Sequence, residues 1–357
     1  MVAGATARGG DGVDAFETTG DVTFSGVFFN GNAGGDDFFS VANVVTFANS
    51  TLLGGQDDDI FEIDILSNSI VNGNKGGDSI EVATSSASTI RGGQDDDFLG
   101  IFTISNSVAN GNKGSDLIDV DTAISSSIFG GEGGDVIEVF GDISASLVQG
   151  DLGDDAIIIG EDIAGSTING NAGDDTIFIE GAASFTDSTV FGGAGNDSID
   201  GTGSTGDLIL SGDAGNDTIT GGAGDDTIIG GAGADEMTGG GGANTFDFAS
   251  LADTFTGALS GGVTDVIIDF ATTVDKLDLL ITGNDGGINV DASAFADYDA
   301  AFAAANTYFA LNPEIYFFAS NVTTGGNVLF IANAAGSTSA SGAINLGASD
   351  IVAGDIC

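Results

Sequence analysis

Asn72–Val82 reads NGNKGGDSIEV, and 38 residues later Asn110–Val120 reads NGNKGSDLIDV. Between them lies GGQDDDFLGI (92–101), itself 38 residues after its near copy GGQDDDIFEI (54–63). Two sentences are written alternately and in step. All copies align on x-G-x-x-x-x-D-x-apolar, with the Asp five residues after the first Gly. The anchors are Asp14, Asp36, Asp59, Asp78, Asp97, Asp116, Asp135, Asp155, Asp175, Asp197, Asp217, Asp226 and Asp235, with Asn244 in the final slot. Their spacings run 22, 23, four of 19, then 20, 20, 22, 20 and three of 9, so 38 is two units of 19.

Each long unit carries two strand signals. Two and four residues past the anchor the side chain is apolar, as in Phe61 and Ile63, Ile80 and Val82, or Ile118 and Val120. That is the period-two alternation of a strand with one buried face. A polar segment follows (ATSSAS, FGDISAS), then a second strand with Leu52, Val71, Ile90, Ile128, Val148, Ile168 and Val190 two residues before the next Gly. Two strands and two turns in 19 residues suit one coil of a parallel β-solenoid, whose core exists only once coils stack. The expected fold is all-β: a right-handed parallel β-roll or β-solenoid with about 19-residue coils. Its coils are irregular over 1–50, regular over 51–217 and nonapeptide-spaced over 217–246.

Four residues before the leading Gly stand Ser50, Ser69, Ser88, Ser107, Ser126, Ser146, Ser166 and Ser188. Alternation points them inward, where stacked hydroxyls could each donate to the next. The other reading is that Ser simply favours the turn.

Composition narrows the partners. There are 54 acidic residues against five basic ones (Arg8, Lys75, Arg91, Lys113 and Lys276), for a formal charge of −49. Such a chain repels itself unless cations bind it, and no basic patch exists to hold nucleic acid or an anionic membrane. No run of about 18 apolar residues is present, so no membrane insertion is expected. The start, MVAGATARGGDG, lacks the apolar core of a signal peptide. The lone Cys357 forms no disulfide framework; it is either incidental or a link between two chains.

The turns read GGQDDD (92–97), GGAGND (192–197), GDAGND (212–217) and GGAGDD (221–226). Gly permits positive φ and lets carbonyl oxygens converge, while Asp adds a hard carboxylate. Oxygen donors without His or Cys thiolate point to Ca²⁺ rather than Zn²⁺ or copper, and the tight octahedron of Mg²⁺ disfavours that ion. Each ion would sit between turns of adjacent coils. The plain alternative is a set of Gly-Asp turns that cap the coils without metal. In GGQDDD, Asp57 and Asp95 replace a Gly, so the local geometry there is expected to differ.

These turns resemble the GGxGxDxUx nonapeptide of the repeats-in-toxin (RTX) family, a calcium β-roll signature. The resemblance is strong from Gly192 to Phe246 and weaker over 9–190, where one turn per coil keeps the motif. It implies that each anchor Asp from Asp14 to Asp235, and Asn244 as an uncharged last member, holds calcium together with turn carbonyls. About a dozen Ca²⁺, one per pair of stacked turns, would offset roughly 24 charges and leave the chain acidic.

From Thr245 the rhythm is expected to stop. TDVIIDFATTVDKLDLL (264–280) resembles the segment that follows the roll in RTX proteins exported by type I secretion, and the rest of 247–357 resembles the associated C-terminal cap and secretion region. One helix is expected there, over Asp291–Ala310, in an otherwise β-rich cap. The resemblance implies a secreted, extracellular, cell-surface protein.

Three function classes follow. The first is a non-catalytic structural subunit of a surface layer, sheath or filament, a homo-oligomer or polymer with side contacts through outward Phe39, Phe98, Phe129, Phe178 and Phe191. The second is an adhesin, ice-binding or glycan-binding module, with outward Thr51, Thr89, Thr167 and Thr189 facing a surface such as a cell-surface polysaccharide. The third is an enzyme. The absence of His removes Ser–His triads and His-ligated zinc. Arg91, Lys75 and Lys113 are read more simply as partners of turn carboxylates than as catalytic bases.

Overall fold

The computed structural model describes residues 2–18, 20–40, 44–181, 184–248, 265–269, 274–279, 288–295, 317–322, 326–331 and 342–345. It divides into two compact units, Met1–Ser188 and Thr189–Cys357. Both contain parallel β-solenoid coils.

In the first unit the strands Ile60–Ser67, Ser79–Ser86, Phe98–Ser105 and Leu117–Ile124 stack in parallel, each residue beside its equivalent one coil away. Ile80, for example, pairs with Phe61 on one side and Leu99 on the other. A second parallel sheet is built the same way from Thr51–Leu53, Ile70–Asn72, Thr89–Gln94, Val108–Lys113, Ser127–Glu132, Leu147–Leu152 and Thr167–Ala172. The predicted inward residues meet between the sheets. Phe61, Ile80, Leu99, Ile118, Ile137 and Ile157 are fully buried, as are Leu52, Val71, Ile90, Ala109, Ile128, Val148 and Ile168. A one-residue slip would turn every one of them to solvent, so the apolar files fix the register.

The polar segment after the first strand signal is strand as well in the 19-residue coils. Ser79–Ser86 runs through ATSS, with two consecutive outward residues, Ala83 and Thr84, marking a corner after which Ser85 points inward. Equivalent positions hold the buried Leu66, Ile104 and Ala123. In the next coil the extra residue breaks this strand into Val136–Val139 and Ile143–Ser144. Val120 pairs with Val139 but Ala123 pairs with Ile143, which places the insertion between 139 and 143. The longer N-terminal coils fill their wider interior with rings. Phe24 stacks on Phe47 at 5.0 Å and Phe38 on Phe61 at 4.7 Å.

The 38-residue rhythm comes from the left-handed positions of the turn. Asn74 (φ +85°) and Asn112 (φ +79°) follow the leading Gly in one type of coil, and Gly93 and Gly131 take that place in the other. A Cβ on Gly93 would run into the Asn74 backbone, and one on Gly131 into that of Asn112. Two residues further on the order reverses. Asp57 (φ +71°) and Asp95 (φ +76°) alternate with Gly76 and Gly114, whose missing Cβ space is filled by the Asp57 and Asp95 backbones. Over 54–131 a side chain at one left-handed position is thus met by Gly there in the next coil, and two complementary turns result, NGNKGG and GGQDDD. Later, Asp151 (φ +78°) and Asn171 (φ +77°) stack at that position without an intervening Gly.

In the second unit one sheet stacks Thr189–Ala194, Ile209–Ala214, Thr227–Ala232, Thr245–Phe248 and Lys276–Leu279. The other stacks Ser198–Asp200, Thr218–Thr220, Glu236–Thr238 and Asp265–Ile267. Coils shorten to 18 residues, two nonapeptides each. The rhythm does not stop at Thr245, because Asp265–Ile267 and Lys276–Leu279 add strands in solenoid register. Antiparallel pairing appears only beyond this, between Phe317–Val322 and Gly326–Ile331 and between Gly326–Ile331 and Gly342–Asn345, among the described residues.

The helix expected over 291–310 is corrected at its start: Ile288–Phe295 is a strand paired with Phe317–Val322. Residues 296–310 lie outside the described residues, as does Cys357. Among the described residues no helix is long and apolar enough to cross a membrane.

Candidate metal centre

Each turn delivers its anchor Asp to the inside of the coil. Asp36 to Asp235 are at most 4% exposed at every anchor, whereas Asp14 is exposed. In the first unit the backbone N–H of each Asp donates to Oδ1 of the Asp one coil on: Asp59 to Asp78 at 2.8 Å, Asp78 to Asp97 at 2.7 Å, Asp97 to Asp116 at 2.8 Å and Asp116 to Asp135 at 2.7 Å. The same bond runs from Asp14, which donates to Asp36, through Asp155, which donates to Asp175. The second unit repeats it from Asp197 to Asp217 at 2.8 Å and from Asp217 to Asp235 at 2.9 Å.

The second carboxylate oxygen has a different fate. Oδ2 of Asp59, Asp78, Asp97, Asp116, Asp135, Asp155 and Asp217 is buried and accepts no hydrogen bond. It lies over the leading Gly of its own turn, where a Cβ on Gly54, Gly73 or Gly92 would collide with it. The carbonyl of the next leading Gly reaches the same space: Gly150 O stands 2.6 Å from where a Gly130 Cβ would be, and Gly212 O 2.8 Å from that of Gly192. Gly92→Ala should therefore lower stability by about 1–3 kcal/mol. A thermal melt of the calcium-loaded protein checks it.

Burial is the largest influence on these acids and raises them, accepted N–H bonds pull them back, and neighbouring carboxylates push them up again. The result is about 8 for Asp78 and Asp97, about 7 for Asp59, Asp116, Asp155 and Asp217, and about 6 for Asp135 and Asp226. Near neutral pH the bare ladder is thus short of charge, and Asp59, Asp78, Asp97, Asp116, Asp135, Asp155 and Asp217 each keep one oxygen without a hydrogen-bond donor, whereas Oδ2 of Asp226 accepts from Gly222 N–H at 2.7 Å.

The opposite turn supplies the contrast. There the N–H of Ser50 donates to Ser69 Oγ at 2.9 Å, Ser69 to Ser88 at 3.1 Å and Ser107 to Ser126 at 3.2 Å, continuing to Ser188. The hydroxyls form an inward ladder, as one of the two sequence readings held. They do not donate to one another along it. Each gives its proton to the carbonyl two residues earlier, as Ser69 does to Ser67 O at 2.8 Å and Ser126 to Ile124 O at 2.8 Å. A hydroxyl that accepts one bond and donates another is complete, whereas a carboxylate in the same geometry keeps an oxygen over. Ser126→Ala should cost about 1–3 kcal/mol by stranding the Ser107 N–H. The loss should be equal at pH 6 and pH 8 in thermal melts.

The anchors do not form one file. In the second unit the N–H of Asp226 donates to Asn244 Oδ1 at 2.9 Å and Leu208 donates to Asp226 Oδ1 at 2.8 Å. These positions belong to the other turn, the one that carries Ser in the first unit. Anchors nine residues apart thus face opposite turns, and stacked partners are 18 apart. Asn244 keeps the ladder bond through Oδ1, but its Nδ2 is a donor, bonded to Gly241 O at 3.1 Å, and offers no ligand oxygen. Two members escaped the sequence pattern. Asp265 and Asp275, 0% and 4% exposed, accept from the N–H groups of Asp235 and Asn244. The residues five before them are Ser260 and Phe270 rather than Gly, although each still precedes an inward apolar residue, Ile267 or Leu277, by two.

This donor set fits a hard divalent cation. Leftover carboxylate oxygens and turn carbonyls, all oxygen, are the ligands Ca²⁺ takes, six to eight at a time. Among the described residues no three acidic side chains converge on one point, so carbonyls must supply most of each shell. The motif Asp and the leading-Gly carbonyl are the groups that would hold it. Of the basic residues, Lys113 pairs with Glu132 at 2.8 Å on the surface, as expected of a charge beside the turns.

Residues 166–178, 184–205 and 211–246 match the RTX calcium-binding nonapeptide repeat family, in four copies. Comparison with curated proteins finds no match. The ladder geometry over 36–155 is the same as in the matched stretch, although it lies outside it.

Proposed function

We propose that this chain, an RTX-repeat β-solenoid, is a non-catalytic, extracellular calcium-binding structural protein that serves as a subunit of a cell-surface layer, sheath or filament. The observation that carries the reading is the extent of the carboxylate ladder. Coil after coil over 14–246 is given to it, so calcium-dependent scaffolding accounts for most of the described chain. The chain would leave the cell unfolded, where Ca²⁺ is scarce, and fold outside, where binding free energy becomes folding free energy.

Side contacts have candidate residues. Phe102 and Phe140, 64% and 53% exposed, line a groove of about 1040 Å³ on the first unit together with Phe98, Glu62, Glu81 and Asp119. They are more exposed than Phe178 at 38%, while Phe98, Phe129 and Phe191 are half-buried. The side chain of Phe39 lies outside the described residues. Apolar groups beside carboxylates suit contacts that Ca²⁺ reinforces.

Electron microscopy at rising protein concentration tests the reading. Ordered polymers that dissolve in EGTA are expected, and a calcium-loaded protein that stays monomeric throughout overturns it. The adhesin reading is weaker. Thr51, Thr89 and Thr167 share one outward file with Ile70, Val108, Ser127 and Leu147, so no continuous Thr face forms.

A further inference from the structure

We propose that Asp265 and Asp275 are the last cation ligands of the two ladders in the second unit, so that docking of 265–279 onto the roll is itself calcium-linked. This rests on the reading of the ladders as calcium sites and extends it beyond the residues that match the repeat family.

The tail strands occupy coil positions rather than merely covering an end. Met237 pairs with Ile267 and Phe246 with Leu277, and both Ile267 and Leu277 are fully buried. The N–H of Val266 donates to Asp235 O at 2.6 Å and that of Lys276 to Asn244 O at 2.8 Å. One coil earlier, Glu236 donates to Asp217 O and Thr245 to Asp226 O at 2.7 Å each. The side chains follow suit: Asp265 Oδ1 accepts from Asp235 N at 3.1 Å and Asp275 Oδ1 from Asn244 N at 2.9 Å. Backbone and side chain thus reproduce the rung geometry of Asp217 and Asp235.

Asn244 explains why the tail is needed on its side. It is a neutral rung between Asp226 and Asp275, so the next charge after Asp226 in that file comes from the tail. A third tail carboxylate behaves differently. Asp269 accepts N–H bonds from Gly239 and Gly240 at 2.7 Å, one on each oxygen, which makes it a cap for the last glycine turn. Three acids thus fasten one short segment, two as rungs and one as a cap.

The test counts calcium bound to the full chain by equilibrium dialysis and follows hydrogen exchange of the 276–279 amides during calcium titration. Asp265→Asn and Asp275→Asn keep the ladder bond through Oδ1, as Asn244 does, and replace the second, charged oxygen with an N–H donor. Each should bind about one ion fewer and need roughly tenfold more Ca²⁺ to protect 276–279. Asp269→Asn should loosen the segment at an unchanged ion count. Asp97→Asn, in the first unit, separates the two claims. If it loses an ion while both tail variants keep the wild-type count and midpoint, the tail inference fails alone. If it also loses none, the ladder reading fails with it. Should a tail variant not fold, Asn244→Asp decides: one further ion and a lower calcium midpoint for protection of 276–279 support the proposal, and an unchanged count and midpoint overturn it.

Discussion

At pH 8, chelation of calcium is expected to unfold the solenoid coils, with loss of the β signal in circular dichroism and a marked increase in hydrodynamic radius. Returning Ca²⁺, but not Mg²⁺, should restore both. Each rung buries a carboxylate one strand spacing from the next, about 4.8 Å, in a chain whose formal charge is −49. The apolar files of Ile80, Leu99, Ile118 and their neighbours favour stacking, and the acids oppose it. One site bound at a hundred times its dissociation constant stabilises by about 2.7 kcal/mol. A handful of such sites therefore equals the whole stability of an ordinary domain, about 5–15 kcal/mol. Removal of the ion should exhaust that margin. Unchanged dichroism and melting temperature in EGTA would falsify the metal ladder, leaving the Gly-Asp turns as plain caps.

The coil was legible in the sequence because its determinants are local and repeated. Ile80 and Val82 alternate within one strand, Ile90 stands two residues before the next Gly, and both facts survive alignment at any coil. The corner at Ala83–Thr84 was not legible. ATSSAS has no apolar residue to mark the inward phase, and Ser85 is drawn in by the stacked coils rather than by its own hydrophobicity. The bonding of the serines was missed for a related reason. A hydroxyl spacing of 19 says that hydroxyls stack, but the nearest acceptor of each proton is a carbonyl two residues back in the same coil. Spacing also concealed the second file. Asp217, Asp226 and Asp235 are evenly placed in sequence, yet an 18-residue coil sends Asp226 to the far turn. Asp265 and Asp275 were not legible because the repeat is marked by a Gly five residues before each Asp, and Ser260 and Phe270 stand there instead.

The calcium-free protein should be more stable at pH 5 than at pH 8, the reverse of what ionised surface carboxylates produce. In the folded chain Asp78 and Asp97 titrate at about 8 and Asp59, Asp116, Asp155 and Asp217 at about 7, against 3.8 for an unburied Asp. Between those limits the folded state holds protons that the unfolded state has released, so stability falls as pH rises. It is fully present below about 4, declines through the folded values of about 6 to 8, and levels off above them. A bound cation reverses the slope, because it requires the ionised acids and competes with protons for them. The two stability curves should therefore diverge with rising pH. Calcium binding at pH 6 should release several protons per chain, and at pH 9 almost none. Calorimetry of calcium binding in two buffers of different ionisation enthalpy measures that number directly. The fraction folded without calcium, followed by circular dichroism from pH 5 to pH 8, measures the slope. No proton release at pH 6, together with a calcium-free fold that strengthens toward pH 8, would mean that the ladder acids are already ionised and satisfied. In that case the buried Oδ2 atoms have partners other than a metal.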